Sequence, residues 1–109
     1  MKYKVKYSPA AVRDLDHVWF EVYEASVNIS TATCYINELM EKAEQKADFP
    51  MSGAPLYYED HFTGYYYVVF KAYLAFYRID GDSILIDRVL QSKSDYMKKI
   101  LNAPVSEKL

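Results

Sequence analysis

The sequence predicts one α+β domain over residues 1–109, an antiparallel helical hairpin packed on a mainly antiparallel four-stranded sheet in the order β-α-α-β-β-β-α. Three observations predict it. The N-terminus alternates strictly, two central runs repeat at helical spacing, and three β-rich runs follow one another across short turn signals.

Each element has a local cause. In Lys2-Tyr3-Lys4-Val5-Lys6-Tyr7 the alternation puts three lysines on one side of a strand and Tyr3, Val5 and Tyr7 on the other. Ser8-Pro9 then opens a helix, because serine caps free N–H groups and proline lacks one that would go unpaired. Ala11, Leu15, Val18 and Val22 give this helix an apolar stripe from about Pro9 to Glu24. Ala25 to Ser30 reads as a connection, with Asn28 or Ser30 as the next cap. Ile36, Leu39, Met40, Ala43 and Ala47 mark a second helix from about Thr31 to Ala47, which Phe49-Pro50 stops. Leu56 to Gly64 reads as irregular. Tyr65–Phe70, Tyr73–Ile79 and Ser83–Val89 form a meander joined at Lys71-Ala72 and Asp80-Gly81-Asp82. Tyr96 to Leu101 reads as a last short helix, and 102–109 as a frayed tail.

Composition removes whole classes of function. Hydrophobic residues are 51% and charged residues 26%, which suits a folded core rather than a disordered chain. The longest nearly uncharged run, Tyr65 to Tyr77, is too short for a membrane helix, so no membrane association is expected. A single cysteine, Cys34, permits no internal disulfide and reads as a small packing residue in a cytoplasmic protein. No carboxylate pair, metal-ligand cluster or phosphate-cradling glycine loop occurs, so neither a metal nor a small-molecule cofactor is implied. His17 sits among acids as a surface residue, whereas His61 has access to a substrate.

Charge is divided along the chain. Residues 8 to 48 carry eight acids against three bases, while residues 61 to 101 carry six bases against four acids. A positive surface is therefore compatible with the net charge of −2. Lys2, Lys4 and Lys6 either guard an edge strand against aggregation or extend a nucleic-acid contact surface that includes Arg78 and Arg88.

Five segments together resemble the RelE/ParE superfamily of toxins from type II toxin–antitoxin systems. They are Tyr3–Ala11 leading to Asp14-Leu15, the loop Phe49–Pro55, Tyr73–Ile79, Ile86–Leu90 and Lys93–Tyr96. The resemblance implies a growth-arresting protein neutralised by a cognate antitoxin. RelE-like members cut messenger RNA on the ribosome, and ParE-like members poison DNA gyrase without hydrolysis. Similarity to the first branch places Lys71 and Lys93 where it has arginines and Tyr96 on its active-site tyrosine. Those three are the catalytic candidates, with Arg78, Arg88, His61, Lys2, Lys4 and Lys6 as substrate-binding candidates. Their charge favours ribosome-associated mRNA cleavage. Gyrase inhibition, which the Phe49-Pro50 loop and Arg88-Val89-Leu90 resemble, and an inactive antitoxin-binding relative are the alternatives. Tyr65, Tyr66 and Tyr67 replace lysines of the RelE branch, and Gln91-Ser92-Lys93 stands where some related nucleases have a histidine.

Overall fold

Strand β1 (Lys4–Tyr7) leads through Ser8 into helix α1 (Pro9–Ser26), and helix α2 (Ile29–Glu44) returns antiparallel to it. The caps are those the sequence offers. Ser8 Oγ accepts from Ala11 N at 3.0 Å, and Asn28 Oδ1 accepts from Thr31 N at 3.0 Å. The connection is tighter than expected, only Val27-Asn28, because Val27 adopts a left-handed φ of 52° and bonds back to the Tyr23 carbonyl. Short 3₁₀ turns at Gln45–Ala47 and Pro50–Ser52 follow α2. Strands β2 (Ala54–Tyr58), β3 (His61–Phe70), β4 (Tyr73–Asp80) and β5 (Ser83–Gln91) complete the sheet, and residues 96–101 form helix α3. The computed structural model describes residues 2–101, so the tail expected to fray lies outside the described residues.

The sheet has five strands rather than four, in the order β1-β5-β4-β3-β2. The additional strand is β2, from the segment read as irregular. It pairs antiparallel with β3, whose start moves forward to His61. The register shift between Pro55 and Tyr57 is absorbed at Thr63-Gly64, where Gly64 takes a φ of 92° and Thr63 Oγ1 donates to the Leu56 carbonyl at 2.8 Å. Strand β1 joins the far edge, parallel to β5.

Alternation gives the sheet two different faces. Tyr73, Ala75 and Tyr77 of β4, with Val68, Ile84, Ile86 and Val89, bury against Ala11, Leu15, Val18, Leu39 and Ala43 of the helices. Leu74 and Phe76 point the other way and form a smaller island with Leu56 and Leu90, partly roofed by Tyr96, Met97 and Ile100 of α3. Cys34, expected to pack, is exposed, since it lies off the stripe formed by Ile36, Leu39, Met40 and Ala43. No helix among the described residues is long and apolar enough to cross a membrane.

Candidate functional site

The cations singled out by sequence are separated by the sheet. Arg88 turns to the helix face, where Nε lies 2.8 Å from Asp14 Oδ2 and the terminal guanidinium nitrogen 3.1 Å from Asp14 Oδ1. Asp14 Oδ2 also accepts the Val89 N–H at 2.9 Å. This forked pairing raises the Arg88 pKa further above its ordinary value, the hydrogen bonds to Asp14 being the main cause. A β-bulge makes it possible. Between Phe76 and Tyr77 the register on β5 slips by one residue, with Asp87 left unpaired, so that Arg88 and its neighbour Val89 both turn to the helix face while Asp87 faces the other way.

Asp87 organises the open face. It accepts a 2.7 Å hydrogen bond from the Tyr65 hydroxyl, and Arg78 Nε lies 3.7 Å away. Burial and then Asp87 push the Tyr65 pKa up to about 12. Arg88 is thus held by a carboxylate in a forked pair, whereas Arg78 is half-exposed and only near one. Lys4 and Lys6 lie at the edge of this open face, opposite in direction to Val5 and Tyr7, and Lys4 Nζ lies 3.8 Å from Asp82. Lys2 and His61 are exposed, His61 as the residue paired with Tyr58.

Lys71 occupies the first position of the two-residue turn closed by Phe70 and Tyr73, with a φ of 53°. Its ammonium lies 5.2 Å from the Tyr35 ring centroid and 5.3 Å from that of Phe70, on the helix face. Burial raises the Tyr35 pKa, an effect partly offset by the Ala72 backbone. An open groove of 360 Å³ beside Lys71 is lined by α2 residues including Thr31, Cys34 and Glu38. The Ser92 N–H donates to the Ala72 carbonyl at 2.8 Å, which brings the exposed Lys93 to the same end of the sheet. Tyr96 does not join them. Its ring packs on Phe76, centroid to centroid 5.3 Å, within the open-face island. Of the three catalytic candidates, two share an end and the third lies across the sheet from Lys71.

Two polar anchors were not anticipated. Asp14 is only 9% exposed, and it falls within the Ala11–Leu15–Val18 stripe, where an acid signals a buried partner. Tyr77 is fully buried. Its hydroxyl donates to the Pro50 carbonyl at 2.5 Å and accepts from Gly53 N at 3.1 Å, tying the loop after α2 to the sheet. Burial is the main reason its pKa reaches about 12. A Cβ on residue 53 would stand 2.3 Å from that hydroxyl, so the approach requires glycine. Among the described residues no group of three or more His, Cys, Asp or Glu side chains is placed to hold a metal.

Residues 5–96 match the model of the family described as the ParE toxin of the type II toxin–antitoxin system parDE. Curated protein sequences give no significant match. Among solved structures, the fold is similar to that of a chain in the chromosomal ParDE system of P. aeruginosa. The TM-score is 0.69 at 20% identity, over 83% of this chain and 96% of that one. It is also similar to a chain of the RelBE2 toxin–antitoxin complex from Mycobacterium tuberculosis, with a TM-score of 0.60 and 22% identity over 86% and 95% of the two chains. A chain of the E. coli DinJ-YafQ toxin–antitoxin complex gives 0.52 and 11% over 94% and 100%. At these identities the structural matches establish the fold.

Proposed function

The chain belongs to the ParE toxin family, and from that premise we propose that it arrests growth by binding and inhibiting DNA gyrase rather than by cutting RNA. It is a toxin of a type II toxin–antitoxin system, with a cognate antitoxin as its partner. The observation that carries the gyrase reading is the separation of Lys71 from Tyr96 by the thickness of the sheet. In-line attack by a 2′-hydroxyl needs a base, an acid and a phosphate-stabilising cation within hydrogen-bond reach of one reacting group. Arg88 does not supply the missing charge, because Asp14 holds it in a forked pair, and Arg78 lies beside Asp87 on the face opposite Lys71. A toxin that works by contact has no such requirement. Ribosome-associated mRNA cleavage draws its support from Lys71 and Lys93 standing at the same end of the sheet, where Ser92 N–H meets the Ala72 carbonyl.

Expression of the toxin alone, with growth, mRNA integrity and plasmid supercoiling followed together, tests the proposal. The expected result is growth arrest with intact mRNA and loss of supercoiling, retained in Lys93→Ala and Tyr96→Phe. Specific mRNA cleavage that disappears in Lys93→Ala would transfer the assignment to the nuclease. Absence of any growth effect would leave only antitoxin binding.

A further inference from the structure

The exposed surface divides by chemistry along the chain. Among the described residues, every exposed large apolar or aromatic side chain lies between Val12 and Val69, and from Lys71 to Leu101 there is none. Interfaces between proteins are centred on such side chains within a polar rim. The helices, the loop after α2 and the β2–β3 hairpin therefore have the character of protein-binding surface, and the chain after β3 does not.

What the chain after β5 exposes is lysine. Lys93 follows the strand and Lys98 and Lys99 lie on α3; all three are exposed, and among the described residues none forms an ion pair. Asp95 is the one acid between Gln91 and Leu101. Tyr96, Met97 and Ile100 turn inward over the open-face island, so α3 presents Lys98 and Lys99 outward. Lys99 also borders a cleft between α1 and β5 whose carboxylates are already engaged: Arg88 pairs with Asp14, and Tyr73 and Gln91 donate to Glu21. Lys71 stands at the same end of the sheet and adds its charge, with its ammonium resting over the Tyr35 and Phe70 rings. The lysines of β1 differ. Lys4 stands at the other end, beside the β4–β5 turn and 3.8 Å from Asp82.

We infer that the corner formed by Lys93, Lys98 and Lys99 is a contact for the phosphate backbone of DNA, made while that DNA is held by the enzyme the toxin inhibits. The inference rests on the gyrase reading and adds DNA to the target. A protein segment, the antitoxin included, is the poorer fit, because no exposed apolar side chain at the corner would anchor it. Phosphates require only cations that are free to approach, and lysine supplies mobile point charges. Three such contacts on a chain of net charge −2 are too few to hold free DNA. Once a protein contact elsewhere seats the toxin on the enzyme, the same lysines meet the DNA at high effective concentration. Enzyme and DNA then bind the toxin together rather than in competition.

Purified full-length toxin, gyrase and relaxed plasmid DNA test it. The toxin is expected to bind DNA-loaded gyrase at least about tenfold more tightly than gyrase alone, an increment that shrinks with added salt. Lys93→Gln/Lys98→Gln/Lys99→Gln removes three exposed charges at positions that support no other contact, and a thermal melt confirms its folding. This variant is expected to lose the increment while binding DNA-free gyrase and the antitoxin as wild type does. A single substitution such as Lys93→Ala removes one contact of three and leaves growth arrest in place. An increment of full size in the triple variant would overturn the inference. So would its absence from a wild type that inhibits supercoiling, or antitoxin binding weakened as much as binding to loaded gyrase. Each of these leaves gyrase inhibition standing. A wild-type toxin that binds gyrase neither with DNA nor without it removes the gyrase reading, and the inference with it.

Discussion

The two faces of the sheet are joined to their covers by different chemistry. On the helix face, directional polar contacts tie the layers together: Tyr7 to Glu44, Tyr73 to Glu21, Arg88 to Asp14, and Tyr77 to the Pro50–Gly53 loop. On the open face, Leu56, Leu74, Phe76 and Leu90 are covered mainly by apolar and aromatic packing from α3 and β3. Apolar area stabilises without specifying orientation, whereas each hydrogen-bonded strap fixes one helix position over one strand position. The difference teaches where function is to be sought. Side chains drawn into straps, Arg88 among them, hold the layers together, and the unstrapped surfaces are where partner contacts are to be sought first.

The strongest way to break this contrast is to cut the strap with the most partners. Asp14→Ala leaves the Arg88 guanidinium and the Val89 N–H without their acceptor in a largely buried position. The expected loss is about 3 kcal/mol of folding stability, read from the denaturant midpoint. A loss below about 1 kcal/mol would mean that water replaces the carboxylate and that the strap is dispensable.

Local signals made most of the fold legible. Alternation located β1, stripes located both helices, and Ser8-Pro9 and Asn28 marked their starts, because each of these depends on neighbours in sequence. Strand β2 was not legible. Pro55 argues against a strand, and Glu59-Asp60 lacks the Asn or Gly that announces a tight hairpin. The candidate site was less legible still. Arg88 and Asp14 are 74 residues apart, so the cation was visible and its commitment to a carboxylate was not. The division of Lys71 from Tyr96 depends on which face each turns to, and strand alternation says nothing of either, Lys71 lying in a turn and Tyr96 in α3.

Alkaline titration sharpens the comparison with a smaller perturbation. Burial pushes Tyr73 and Tyr77 on the helix face up to about 12, and Tyr7 is raised further by burial and by Glu44. An unfolded tyrosine ionises near pH 10. The folded state therefore holds the neutral phenols more tightly. Their contribution is fully present below about pH 10 and is lost as pH rises toward about 12. Denaturant midpoints measured across that interval should fall, and Tyr77→Phe, which removes one of these groups, should fall less steeply. Parallel slopes would show that Tyr77 ionises equally in both states.

The finest test uses the two turns that bracket β4. Gly81 and Lys71 both take the first position of a two-residue turn with positive φ, 63° and 53° respectively. Glycine adopts that conformation freely, whereas a lysine Cβ meets the following carbonyl at a cost of about 1 kcal/mol. The ammonium over Tyr35 and Phe70 recovers about 0.5–1 kcal/mol, so the turn is close to balanced. Lys71→Gly should then raise stability by no more than about 0.5 kcal/mol. Lys71→Ala keeps the strain, loses the cation, and should lower stability by about 0.5–1 kcal/mol. Thermal melts of both variants measure the gap, and their growth arrest separates fold from function. Arrest intact in both would assign Lys71 to the helix face alone, while arrest lost in both, with stability as stated, would make its ammonium a contact for the target.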